Sequence, residues 1–152
     1  MHEVVLICDG SAIGNPGPSG WACILKLKSG AQERVVTGSH PASTNNRAEL
    51  MAAIDGLRAL KQPCHIELVS DSQYLKKGIT EWLPKWQANG FVSASGKPVL
   101  NQDLWHQLKQ LVEQHEIQWS WTQGHGDDSD QNRADQLALQ AARQQAAVMT
   151  HG

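Results

Sequence analysis

The stretch EVVLICDG, residues 3–10, decides how this chain folds. Its apolar run at residues 4–8 shows no polar alternation, which reads as a strand buried on both faces. The run stops on an acid, Asp9, so a carboxylate is set at the lip of a core. A capping or turn aspartate before Gly10 is one reason for it, and chemistry is the other. A glycine- and proline-rich loop, GNPGPSG at 14–20, follows at once.

Outward from that strand, WACILKLK at 21–28 and residues 32–37 flank the turn Ser29-Gly30 and read as an antiparallel hairpin. A polar loop, HPASTNN at 40–46, offers Thr44 or Asn45 as a helix cap before RAELMAAIDGLRAL. At 100° per residue, Leu50, Ala53, Ile54, Leu57 and Leu60 share one arc, with Glu49 at its edge and Asp55 facing solvent. Glu49 also suits the first turn of a helix, where an acid complements the dipole.

HIELVS at 65–70 is a second buried strand that ends on a carboxylate, Asp71, and Asp71-Ser72 also suits a helix cap. Residues 101–115 are amphipathic through Leu104, Leu108, Leu111 and Val112, and IQWSW at 117–121 alternates as a last strand. A final helix is expected from about residue 132 to 147, with Asp135, Leu139, Ala142 and Ala146 on one face. The fold class is therefore α/β, a five-stranded mixed sheet flanked by helices. With the first and fourth strands side by side, Asp9 and Asp71 meet at one sheet edge, within reach of Glu49 and Asp135.

Four carboxylates at one point raise one another's pKa, and a divalent cation relieves this. Oxygen-only ligation suits magnesium or manganese, and no cysteine or histidine cluster competes for zinc. Two such ions about 4 Å apart would suit in-line phosphodiester hydrolysis.

At 152 residues the chain is the size of one domain that buries roughly 70% of its unfolded surface. Net charge is −2 and the pI about 6.4, so no global basic field announces a polyanion partner. Cys8, Cys23 and Cys64 sit in apolar runs as reduced core thiols, with one bridge plus a free thiol as the alternative. No targeting segment or membrane-length run is visible, and a cytoplasmic protein is expected.

DGS at 9–11, GNPGPSG at 14–20, TNNRAEL at 44–50, SDSQY at 70–74, GH at 124–125 and RADQLA at 133–138 together resemble ribonuclease H, the bacterial type-one branch. The resemblance runs from Val4 to about Ala142, and the order and spacing of the motifs carry it. It implies a ribonuclease H-like fold, with strands 1–3 antiparallel and strands 4 and 5 parallel to strand 1. One catalytic domain over 1–152 is expected, with a substrate-binding segment projecting at about 80–100. It implies an endonuclease that cuts the RNA strand of RNA/DNA hybrids, leaving 5′-phosphate and 3′-hydroxyl ends. Metal ligation falls to Asp9, Glu49, Asp71 and Asp135, with Asp9 shared between two Mg2+ ions or Mn2+ in their place. His125, on the loop 122–131, resembles the family's mobile histidine, which assists proton transfer or product release.

A hybrid is told from DNA by its 2′-hydroxyls, which short amides in a shallow groove can read. Asn15, Asn45, Asn46 and Gln73 occupy the family's equivalents of such positions, although asparagine is also an ordinary turn residue. Thr44 with Arg47 resembles part of a pocket for a DNA-strand phosphate, with a solvated helix side chain as the alternative for Arg47. Trp82, Trp86 and Trp105 are placed by the resemblance at the projecting segment that cradles the DNA strand, and core packing competes for at least one of them. Trp119 and Trp121 are expected in the core. A monomer without an obligate protein partner is the default.

Departures from the family pattern are specific. Relatives carry many Lys and Arg in the projecting segment, where this chain has Lys85 and Lys97, so hybrid affinity should be modest and its salt dependence shallow. Pro84 should start or kink a helix. Asp127, Asp128 and Asp130 make an acidic loop, either solvated or cation-attracting. Gln131 stands where asparagine is often found, four residues before the last acid. Resolvase or integrase relatives and a non-cutting hybrid-binding module are rival readings. The GNPG loop, TNNR and GH argue against the first, and retention of all four acids against the second.

Overall fold

The computed structural model describes residues 1–30, 32–90, 100–122 and 129–151. Three long strands open the chain, β1 (His2–Ala12), β2 (Gly17–Leu27) and β3 (Glu33–Ser43). Helix α1 (Asn45–Arg58) leads to β4 (Cys64–Ser70). A helical run then passes from α2 (Gln73–Lys77) through one π turn (Gly78–Trp82) into α3 (Leu83–Asn89). Helix α4 (Gln102–Val112), β5 (Glu116–Trp121) and α5 (Ser129–His151) complete the order. The sheet order is β3-β2-β1-β4-β5. The pairs β1/β2 and β2/β3 are antiparallel, while β4 runs parallel to both β1 and β5. The expected mixed sheet is thus the observed one.

Alternation along the central strands sorts side chains between two cores. Leu6 and Cys8 of β1, Cys23 and Leu25 of β2, and Ile66 and Leu68 of β4 face a large cluster built with α1 and α4. Leu50, Ile54, Leu57, Trp105 and Leu108 fill it from the helices. Ile7, Ile24 and Val69 point the other way and meet Ala134 of α5, with Val5 and Leu137 at the margin. All three cysteines are buried free thiols. Among the described residues, no helix is long and apolar enough to cross a membrane.

Several expected boundaries move. β1 does not stop at Asp9 but continues to Ala12, because β2 keeps pairing with it as far as Ala12↔Ser19. What stops is the other neighbour, since the parallel register with β4 ends at Cys8↔Ser70. Asp9 therefore lies at the first position of β1 past its β4 partner. The expected loop at 40–46 is largely the end of β3, held by pairs such as Ser19↔His40. Asp55 is not turned to solvent, for it accepts a hydrogen bond from Trp21 Nε1 at 2.8 Å. On α5, which starts earlier than expected, the fully buried stripe is Ala134, Ala138 and Ala142, and Leu139 is only half-buried. The small side chains let the helix lie directly on β2, where a Cβ on Gly20 would overlap the backbone of Ala138 and Ala142. Pro84 does sit in the opening turn of a helix, α3, just after the π turn.

Candidate metal centre

Each acid reaches the site for a local reason. Asp9 follows Ile7 in the strand alternation and is 8% exposed. Asp71 directly follows the last residue of β4, and Ser72 caps α2 by accepting from the Leu75 N–H at 3.1 Å. Thr44 caps α1, its hydroxyl accepting from the Arg47 N–H at 3.1 Å. The opening turn of α1 lies so close to β1 that any side chain at Gly10 would run into the backbone of Ala48 and Glu49. That approach lets the Gly10 N–H donate to Glu49 Oε1 at 3.0 Å, aiming the carboxylate at Asp9.

Oxygen atoms of Asp9, Glu49 and Asp71 all lie within 4.8 Å of one another. Asp135, from the second turn of α5, hydrogen-bonds Asp9 from the opposite layer. Burial, then the hydrogen bond to Asp135 and the charges of Glu49, Asp135 and Asp71, push the Asp9 carboxyl up to about 12. Burial also raises Glu49 to about 7, although hydrogen bonds from Asp9, Gly10 and Ser72 pull it back. Without a cation, then, these side chains cannot all be ionised at neutral pH. Asp135 Oδ1 is buried without a hydrogen-bond partner among the described residues. An orphaned carboxylate oxygen beside three clustered acids is the donor set of a hard divalent cation such as magnesium or manganese. The Cys8 thiol is no nucleophile for this site. Its hydrogen-bonded neighbour Cys23, 3.1 Å away, and burial push its pKa well up.

The other expected residues divide. Asn15, Asn45, Asn46 and Gln73 are exposed near the acids' elements. Two of them also brace the backbone. Asn45 Oδ1 accepts from the Ala12 N–H at 2.8 Å, and Asn15 Oδ1 from the Asn45 N–H at 3.1 Å. Arg47 is neither a solvated helix side chain nor a free cation. It forms a two-point pair with Asp103 at 3.0 and 2.8 Å and donates to Asn101 Oδ1 at 3.2 Å. Trp82 and Trp86 are half-buried with ring centroids 5.8 Å apart. Trp105 is not a substrate-facing residue, because it is 0% exposed and its Nε1 donates to the Tyr74 hydroxyl. It forms the buried root of an aromatic stack, 5.5 Å from both Trp86 and Tyr74. Trp119 and Trp121 pack against the core and stack on each other at 5.6 Å. His125, Lys97, Asp127 and Asp128 lie outside the described residues. Asp130 is no loose member of an acidic cluster, since it pairs with Lys26 at 2.7 Å.

Sequence reasoning missed Tyr74 and Asn101, which link the opening turn of α1 to α4 and the aromatic stack. Asn101 takes a left-handed backbone, φ 61°, that asparagine tolerates better than most residues. No local pattern signals such a link, whose partners lie 27 and 54 residues apart.

The RNase H family model matches residues 1–143. The chain belongs to the RNase H family. It is 49% identical over 146 residues to a ribonuclease H of Solibacter usitatus, covering 96% of this chain and 99% of that protein. It is also 49% identical over 137 residues to ribonuclease HI of Pseudomonas aeruginosa PAO1, covering 90% and 91%. Among solved structures it superposes with a TM-score of 0.85 on LC9-RNase H1, a type 1 RNase H with the type 2 active-site motif. That match has 31% identity and covers 95% of this chain and 74% of that one. Membership makes the chain a nuclease, a hydrolase of phosphodiester bonds.

Proposed function

We propose that this RNase H family chain is an endonuclease that hydrolyses the RNA strand of RNA/DNA hybrids, leaving 5′-phosphate and 3′-hydroxyl ends. The observation that carries the reading is the convergence of Asp9, Glu49 and Asp71, with Asp135 against Asp9, on a buried point where ionised acids need a cation. Two magnesium ions bound there, or manganese in their place, would supply an activated water and a stabilised leaving oxygen. Asp9, Glu49, Asp71 and Asp135 would hold them, with Asp9 central among the acids. Glu49, oriented by the Gly10 N–H and Ser72, and Asp135, whose Oδ1 has no hydrogen-bond partner among the described residues, would each offer a carboxylate oxygen. His125 assists proton transfer or product release.

Recognition of the hybrid falls to the exposed amides Asn15, Asn45, Asn46 and Gln73, which read 2′-hydroxyls. Trp82 and Trp86 support the DNA strand at the start of the segment that projects at about 80–100. Thr44 and Arg47 would meet a DNA phosphate only in competition with their contacts to the α1 backbone and Asp103. The whole chain acts as one catalytic domain, a cytoplasmic monomer needing no protein partner, in keeping with three reduced cysteines.

The test is one labelled RNA strand offered single-stranded, paired with RNA and paired with DNA, with magnesium or EDTA, beside Asp9→Asn. Cutting confined to the DNA-paired form, dependent on metal and reduced at least about 1,000-fold in the variant, is expected. Binding of hybrid without cutting in either metal would make the chain a binding module.

A further inference from the structure

Gln131 is a polar side chain in an unusual place. It lies in the opening turn of α5 and is 1% exposed. Its Nε2 donates to the carbonyl oxygen of Cys8 at 3.2 Å, across 123 residues of chain. That carbonyl belongs to the peptide that supplies the nitrogen of Asp9. One helical turn further along α5, on the same side, stands Asp135, which hydrogen-bonds the Asp9 carboxyl. The helix therefore touches β1 at the two ends of one residue, once through the backbone before Asp9 and once through its side chain.

The other described contacts of this face of α5 are apolar or backbone contacts, with Ala134 among Ile7, Ile24 and Val69 and the backbone of Ala138 and Ala142 against Gly20. The stripe of α5 against the sheet is alanine, Ala134, Ala138 and Ala142, whose methyls interdigitate weakly. Among the described residues, its start is also tied by partly exposed ion pairs, Lys26 with Asp130 and Arg133 with Glu33, a kind of contact worth little in water. A buried hydrogen bond fails sharply when its geometry is lost, so it specifies a register more than it adds net stability. We propose that Gln131 is a positioning residue that sets the separation of Asp9 and Asp135, and thereby the affinity of the carboxylate site for its divalent cation. This rests on the metal-dependent reading above.

The test is calorimetric titration of the full chain with manganese alone, for wild type, Gln131→Leu and Gln131→Asn, with thermal unfolding of each metal-free protein alongside. Gln131→Leu keeps the volume and loses the amide, and should bind manganese about 5- to 10-fold more weakly, toward the low end for residues that orient metal ligands. In cleavage assays the magnesium concentration for half-maximal rate should rise by a similar factor, while KM for hybrid moves less than about twofold. Gln131→Asn, with the amide on a shorter arm, should recover part of the loss. Should the leucine variant fail to fold, Gln131→Met takes its place, being unbranched and of similar length. Manganese affinity unchanged in the apolar variant would overturn the proposal, as would an asparagine variant no better than leucine. A wild type that binds manganese and cuts hybrid while the variants match it removes only the role of Gln131. A wild type that does neither removes the metal-dependent reading, and the role of Gln131 with it.

Discussion

The two faces of the sheet hold their helices in different ways. On one face, α1 buries Leu50, Ile54 and Leu57 among Leu6, Leu25, Leu68 and Leu108, a core of large interlocking side chains. On the other, α5 sets Ala134 among Ile7, Ile24 and Val69, lays Ala138 and Ala142 against Gly20, and makes polar contacts at Gln131, Asp130, Arg133 and Gln145. The metal centre straddles the two. Glu49 hangs from the leucine-rich layer and Asp135 from the alanine-faced one, with Asp9 on β1 and Asp71 directly after β4 between them. Core packing therefore sets three of the four acids, and polar register sets the fourth.

The largest expected effect sharpens this contrast directly. Ile54→Ala, fully buried on the α1 side, should cost about 2–5 kcal/mol in chemical denaturation. Leu137→Ala, half-buried beside the α5 cluster, should cost less than about 1.5 kcal/mol. Equal losses would break the comparison, for they would mean that α5 is packed as tightly as α1.

The next effect is a pH dependence. Asp9 and Glu49 both titrate higher in the folded protein than in the unfolded chain, so the folded state holds protons that the unfolded state releases. Their contribution to stability is therefore lost as pH rises, for Glu49 between 4.5 and about 7 and for Asp9 from 3.8 upward. The metal-free protein should unfold at lower temperature at pH 8 than at pH 5. Asp9→Asn should raise its Tm at pH 8 by about 5 °C. Saturating magnesium should reduce the pH slope of the wild type. A slope identical in wild type and Asp9→Asn would show that the acids are not coupled as described.

The smallest effect concerns the surface pins. Lys26→Ala, which removes the partner of Asp130, should change stability by less than about 0.5 kcal/mol, and by still less in 0.5 M salt. A loss above about 1.5 kcal/mol would move the anchoring of α5 from the buried amide to the surface.

Much of this is legible in the sequence alone. Asp9, Glu49 and Asp71 each close a local pattern, an apolar run or a helical arc, and such patterns are read within a few residues. The continuation of β1 to Ala12 was not, because it depends on a partner strand rather than on hydrophobicity. Asp55 looked like a solvent residue because only Trp21, 34 positions away, gives it a reason to turn inward. Of the alanine stripe of α5 the expected face held Ala142 but not Ala134 or Ala138, and it included Leu139, which is only half-buried. Trp105 was drawn outward by resemblance, although its place on an amphipathic helix one residue from Leu104 already allowed the core. Gln131 showed in the sequence only as a departure, since its partner is a backbone carbonyl that no residue pattern marks.

The central claim is that four acids from both layers form one cation site at Asp9. Anomalous diffraction at the manganese edge, from crystals of the protein grown or soaked with manganese, tests it most directly. The account predicts a peak within about 2.5 Å of carboxylate oxygens of Asp9, Glu49 and Asp71, on the side from which Asp135 approaches. Peaks confined to other acids, with none at Asp9 under saturating manganese, would contradict it.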